Sequence, residues 1–328
     1  MRTLPPSQLA LLPAHNILHE QDAFEARIIN DKLSVIISKT VKAPFAFDSL
    51  VLSVSARLAA GGALLAQAAV QTDEGWSGFY KLFYISHGYK KTFAPQRDKF
   101  ASVDTDILTP RGPARRFKYK ITLLGRAEIS LICAALTRAG ARYDRALAVE
   151  TLGLRDRILP LRPVPSARLK DKKLAARVCS PAALTAVLNY MGKKIKLSQA
   201  VKGVYDEGAK IYGAWPLNTA FAAQQGLGAV FMRCASLAQA EGEVLRGRPL
   251  IVSLAYKEGG LKNAPVRATA GHLVVIAGFD AAGNIVAADS AAHTPALRIY
   301  DRAQFARAWL GNKRGAAYAI APLKNRLD

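Results

Sequence analysis

Cysteine is scarce in this chain: three residues in 328. Cys133, Cys179 and Cys234 stand too far apart for a disulfide framework or a clustered zinc site. Histidine is nearly as rare, at five. Neither a metal nor a cofactor is expected. Long apolar runs are missing too. The stretches around Leu58–Val70 and Leu273–Phe279 fall short of the ~18 residues a spanning helix needs, or are broken by glycine. No membrane span is expected. Acidic residues are few: 24 Asp and Glu stand against 46 Lys and Arg, a formal charge of +22. Up to Pro160 there are 22 basic and 14 acidic residues, and after it 24 and 10, so both parts are basic. The charge forms no stripe with interleaved aromatics, which argues against nucleic acid as a partner. Its densest cluster is Arg168, Lys170, Lys172, Lys173 and Arg177. The excess reads as a solvated basic surface, or as attraction to an anionic envelope polymer. The N-terminus, MRTLPPSQLALLPAHN, has too short an apolar core for a good signal peptide. As the sequence stands it reads as cytoplasmic, with export as the alternative.

What is present is a globular composition, 51% apolar and 21% charged, in a chain long enough for two domains. Residues 1–25 read as an extended N-terminal arm. Residues 26–154 read as an all-β sandwich, an accessory domain of short strands separated by turns. Arg27–Ser38, Ser49–Leu58, Phe79–Ile85, Phe117–Leu124 and Ile129–Leu136 are the expected strands. Trp76, Tyr80 and Tyr84 have the even spacing that puts side chains on one face of a strand, to stack on sugar rings or to fill a core. Residues 155–165 hold three prolines and read as a stiff linker. Residues 166–328 have α+β order. Helices are expected at Ser180–Met191, Leu217–Gln225 and Leu237–Leu245. Strands are expected at Pro249–Tyr256, His272–Phe279 and Asn284–Asp289.

Three residues of this second part suggest chemistry together. Cys179 precedes the strongest helix. Free N–H groups and a partial positive charge at a helix start favour the nucleophilic thiolate. His272 opens one strand and Asp289 closes the next, with a turn at Asp280–Asn284 between them. Out-and-back geometry brings the two to one end of a hairpin, where a carboxylate fixes the imidazole tautomer. Singly, these are a buried thiol, a surface histidine and a turn aspartate. Together they are a catalytic Cys–His–Asp set. Cys133 and Cys234, in apolar runs, read as packing.

These residues carry a family resemblance. Cys179–Gly192 (CSPAALTAVLNYMG), Tyr212–Ala220 (YGAWPLNTA), Gly247–Ser253 (GRPLIVS), Gly271–Asp280 (GHLVVIAGFD) and Asn284–Ala292 (NIVAADSAA) resemble the papain-like cysteine peptidases of family 39. These are the double-glycine leader peptidases and their stand-alone bacterial relatives, the latter being the closer match. Gly75–Leu82 and Val103–Leu108 are similar to the β-sandwich that precedes the peptidase in some of them. The resemblance implies a papain-like domain hydrolysing a peptide or protein through a thioester. Cys179 would be its nucleophile, His272 its base and Asp289 the orienting group. It places Trp215 and Asn218 near the site, as a cleft wall or as ordinary core. One departure stands out. The family carries a glutamine that donates to the oxyanion, and none lies between Pro165 and Cys179. Arg168, then Lys170, are the candidate replacements. The competing expectation is a papain-fold binding protein with weakened turnover, acting through its sandwich and basic surface.

Overall fold

The computed structural model describes residues 14–20, 26–30 and 32–323. Two compact units emerge. The first comprises 1–141 with 205–231, the second 142–204 with 232–328. Of the expected arm, Ala14–Glu20 forms strand β1, antiparallel to Ala127–Arg138. Residues 1–13 and 21–25 lie outside the described residues.

The first unit is an antiparallel β fold. Strands β2 (Ala26–Asn30) and β3 (Leu33–Ile37) form a hairpin where one long strand was expected. Next come β4 (Val41–Leu58), β5 (Ala63–Thr72), β6 (Gly75–Trp76), β7 (Tyr80–Ser86) and β8 (Lys90–Thr92). Four more follow: β9 (Gln96–Arg97), β10 (Ala101–Asp104), β11 (Ile107–Pro110) and β12 (Ala114–Leu124). The last is β13 (Ala127–Arg138). β4 organises the sheet. Its first part pairs with β12, and its later part pairs with β13. Leu50, Leu52 and Val54 of β4 pack with Leu64, Phe117, Tyr119 and Ile132 in one core.

Polar alternation in β4 does not produce a solvent face. Ser53 and Ser55 are fully buried. The Ser55 hydroxyl donates to the Ala229 carbonyl at 2.6 Å and accepts its N–H at 2.8 Å. The Ser53 hydroxyl accepts the Phe231 N–H at 3.0 Å. Serine is small enough to admit a second backbone and supplies the bonds that a buried polar group requires. The aromatic spacing also fails. A register shift in the β5–β7 pairing, at Ala66/Gln67, breaks the alternation. Tyr80 turns into the core, while Trp76 and Tyr84 stay half-buried. The Lys118 ammonium caps the Trp76 ring at 4.8 Å.

The second unit is α+β. It contains α1 (Arg145–Ala148), β14 (Arg157–Ile158), α2 (Lys172–Ala175), α3 (Cys179–Tyr190) and α4 (Leu197–Val204). The chain then contributes α5 (Trp215–Gln224) to the first unit and passes back within β15 (Leu227–Arg233). It continues through α6 (Leu237–Leu245), β16 (Leu250–Tyr256), β17 (Thr269–Phe279), β18 (Ile285–Asp289) and β19 (Arg298–Tyr300). α7 (Arg302–Ala306) runs into a π-helical turn, Arg307–Gly311, before β20 (Ala316–Pro322). β20, β16, β17, β18 and β19 are neighbours in that order. Val252, Val274, Ile276, Ile285 and Trp309 fill the core.

The segment expected as a linker lies within this unit. β14 pairs with the end of β17, and Leu159 and Leu161 are buried. A Cβ on Gly278 would sit 2.1 Å from the Arg157 carbonyl oxygen, so this close approach requires glycine. Pro160, Pro163 and Pro165 all follow this two-residue strand.

Candidate active site

α3 begins at Cys179, one residue earlier than expected, with Pro181 in its first turn. There the missing proline N–H costs nothing, because a helix start has no acceptor for it. The helix is buried on nearly every side from Ser180 to Leu188. Ala182, Ala183 and Ala186 let neighbours approach it closely. β17 is one of those neighbours. The contact fixes the strand that carries His272 beside the helix that carries Cys179.

The β17–β18 register sets Asp289 opposite Val274, two residues from His272. Residues i and i+2 share a strand face, so His272 and Asp289 are diagonal neighbours within side-chain reach. His272 Nε2 and Asp289 Oδ1 are 2.7 Å apart. The other face of the array is completed by a hydrogen bond between the imidazole and the Cys179 thiol. Asp289 is held from two further sides. The Ala291 N–H donates to Oδ1 at 2.9 Å, and the Tyr300 hydroxyl donates to Oδ2 at 2.8 Å. His272, Asp289 and Tyr300 are all buried.

Electrostatics follow this geometry. Burial pushes the Cys179 thiol up, but the hydrogen bond and charge of His272 outweigh it. The Leu273 and Ser180 N–H groups assist, and the net shift is downward. Burial works against an imidazolium at His272, yet Asp289 and Cys179 prevail and raise it to about 10. Burial likewise opposes the Asp289 carboxylate, and His272, Ala291 N–H and Tyr300 hold it below its ordinary value. All three directions favour a thiolate, an imidazolium and a carboxylate. Among the described residues no cluster of three or more metal-ligating side chains occurs.

The other sequence candidates sit differently. Arg168 ends a 3-10 turn at Ser166–Arg168, and its Nε donates to the His293 carbonyl at 2.8 Å on the exposed surface. Lys170 is exposed. Asn218 and Trp215 belong to the first unit. Asn218 is fully buried, and its amide donates to the Tyr212 and Ala214 carbonyls, both at 2.9 Å. Its side chain closes the start of α5. The Trp215 ring packs on Phe231 with centroids 4.8 Å apart. Tyr300 went unnoticed in the sequence. A lone tyrosine in a three-residue strand carries no signal until β18 and β19 pair.

Residues 164–317 match the peptidase C39-like family, and residues 6–142 match the peptidase C39 N-terminal domain. No curated protein matches the chain. Solved structures similar to it include the following three. The peptidase domain of Streptococcus ComA, a bifunctional ABC transporter of a quorum-sensing pathway, is 16% identical with a TM-score of 0.35. The match covers 50% of this chain and 99% of that one. A double-glycine-motif protease from an AMS/PCAT transporter, in complex with its leader peptide, is 20% identical with a TM-score of 0.35. It covers 52% of this chain and 98% of that one. A putative C39-like peptidase from Bacillus anthracis is 13% identical with a TM-score of 0.39, over 52% and 100%. With one C39 segment following the other in order along the sequence, residues 164–317 belong to the peptidase C39-like family and a peptidase C39 N-terminal domain precedes them.

Proposed function

We propose that this protein is a cysteine peptidase that hydrolyses peptide bonds through Cys179, His272 and Asp289. One observation supports the reading above the rest. A helix-start thiol, a buried imidazole and a buried carboxylate form one hydrogen-bonded array. A binding protein that merely kept the fold has no need of it. The Cys179 sulfur attacks the scissile carbonyl carbon. His272, already protonated by the thiol, gives its proton to the leaving amine as the C–N bond breaks. A thioester remains on Cys179. Water then attacks it, His272 accepts the water proton, and the acid leaves as the thiolate re-forms. Asp289 and Tyr300 hold the ring in one orientation throughout. The oxyanion meets the Cys179 N–H at the helix start, where no intrahelical acceptor competes. Without the family's glutamine, turnover is expected to be slower by on the order of 10²–10³.

The test pairs a thiol readout with hydrolysis. At pH 6, iodoacetamide is expected to label Cys179 well ahead of Cys133 and Cys234. Products of a mixed peptide library are expected to appear with the wild type and to vanish with Cys179→Ala. Even labelling of all three thiols in the folded protein, or equal hydrolysis by Cys179→Ala, would overturn the reading.

A further inference from the structure

Lys313 follows the π-helical turn and reaches toward the strand that carries the proposed base. Its Nζ donates to the Ala270 carbonyl at 3.2 Å. Ala270 and Gly271 directly precede His272 on β17. At a rise of about 3.3 Å per residue, the ammonium lies within about 10 Å of the His272 backbone.

The turn bearing Lys313 is firmly built. The Lys313 N–H donates to the Trp309 carbonyl at 3.0 Å. The Asn312 side chain donates to the Ala255 carbonyl at 2.7 Å. Arg233, itself buried, donates through Nη1 to the Lys313 and Arg314 carbonyls at 3.1 and 3.2 Å. Lys313 is half-buried, and no ion pair joins it to a carboxylate among the described residues. Burial, and then the Arg233 charge, pull its pKa below the ordinary lysine value. The fold therefore holds a partly desolvated cation near a second cation, with no anion to compensate it. Like charges held close cost free energy that a bound anion would offset.

Gly271 supplies an independent observation. It is exposed, its φ lies outside the left-handed region, and a Cβ there would meet only Lys313 Nζ, at 3.8 Å. Gly271 also lies where the β16–β17 pairing shifts register, between Leu254 opposite His272 and Tyr256 opposite Thr269. Glycine inside a strand marks a bulge, or the close approach of a ligand or another backbone. Here the missing side chain leaves the Lys313 ammonium uncovered at Gly271.

We propose that Lys313 forms a carboxylate-binding subsite beside His272, so that the preferred substrate carries an acidic side chain or a free carboxyl terminus near the bond cut. The proposal rests on the peptidase reading, but its test needs no turnover. Three N-iodoacetyl dipeptides differ by one charge: Gly-Glu amide, Gly-Gln amide and Gly-Gln free acid. Their alkylation rates at Cys179 are followed by mass spectrometry in low salt. Wild type is expected to favour an acidic probe over the neutral one by at least threefold, and the preference should fade as salt screens it. Lys313→Gln keeps a donor toward the Ala270 carbonyl but removes the charge, and is expected to lower the acid-to-neutral ratio at least threefold. Lys313→Glu should lower it further. The acid that shows the drop identifies the source of the carboxylate. Ratios that stay within twofold of wild type in both variants overturn the subsite and leave the peptidase reading standing. A Cys179 that no probe alkylates faster than a free thiol overturns both.

Discussion

Cys133, Cys179 and Cys234 carry the same thiol in different surroundings. Cys133 is fully buried, its sulfur 3.3 Å from the Phe231 carbonyl oxygen, and burial pushes it up to about 12. Cys234 is raised by burial and then by the charge of Glu243. Cys179 alone has an imidazole partner, which reverses the sign of the shift. Low pKa and access together make a thiol reactive. The basic residues before α3 are a second question at this scale. Arg168 has its guanidinium engaged by the His293 carbonyl, which makes it an anchor for the turn that precedes α3. An oxyanion donor lost to alanine costs on the order of 10²–10³ in kcat. Arg168→Ala is therefore expected to lower kcat by less than tenfold, as steady-state kinetics on a cleaved peptide will measure. A hundredfold loss would make Arg168 the replacement for the glutamine.

At the scale of elements, the β17–β18 hairpin sets the geometry of the site. Strand register places Asp289 on the diagonal from His272, and β19 adds Tyr300 behind it. The pair links the hairpin's stability to pH. The Asp289 pKa is depressed, so its contribution is present above about 3.8 and lost as pH falls. The His272 pKa is raised, so its contribution is complete below about 6.5 and lost as pH rises to about 10. Asp289→Asn takes the carboxylate from a buried imidazolium and leaves it only the Cys179 thiolate. Breaking such a pair from one side costs about 3 kcal/mol. Denaturant titrations of wild type and Asp289→Asn are expected to differ most between about pH 4 and 6.5. The gap should narrow on either side. A gap that is flat across pH would mean that the pair is neutral in the folded state.

At the scale of the whole molecule, the chain crosses between its units more than once. Residues 205–231 leave the α+β unit, and Ala214, Leu217 and Ala220 enter the core of the β unit. A fragment 161–328 keeps the proposed catalytic residues but carries this apolar segment without its core. The β unit cut at residue 141 loses the same segment from its own interior, where Ser53 and Ser55 would lose bonds. A buried polar group left unpaired costs about 1–3 kcal/mol. Each half expressed alone is expected to aggregate on size-exclusion chromatography, and the intact chain to elute as a folded species. A soluble, monodisperse 161–328 would show that 205–231 contributes little to either unit.

The sequence by itself determined the order of classes, all-β and then α+β, because periodicity and turn residues are local properties. It also determined the pairing of His272 with Asp289, since a short turn between two strands fixes which ends meet. Helix α6 was readable to the residue, as its apolar spacing and flanking residues are local too. Tertiary structure decided what local pattern does not encode. It turned the serines of β4 inward, where a second backbone covers them. It paired Arg157 and Ile158, just ahead of the prolines, with the end of β17 at Gly278. It closed Asn218 onto its own helix, brought Tyr300 to Asp289, and set Lys313 beside the strand of His272. Each of these joins residues distant in sequence or fixes a side chain's direction, and such choices are made by packing and by the pairing of buried polar groups.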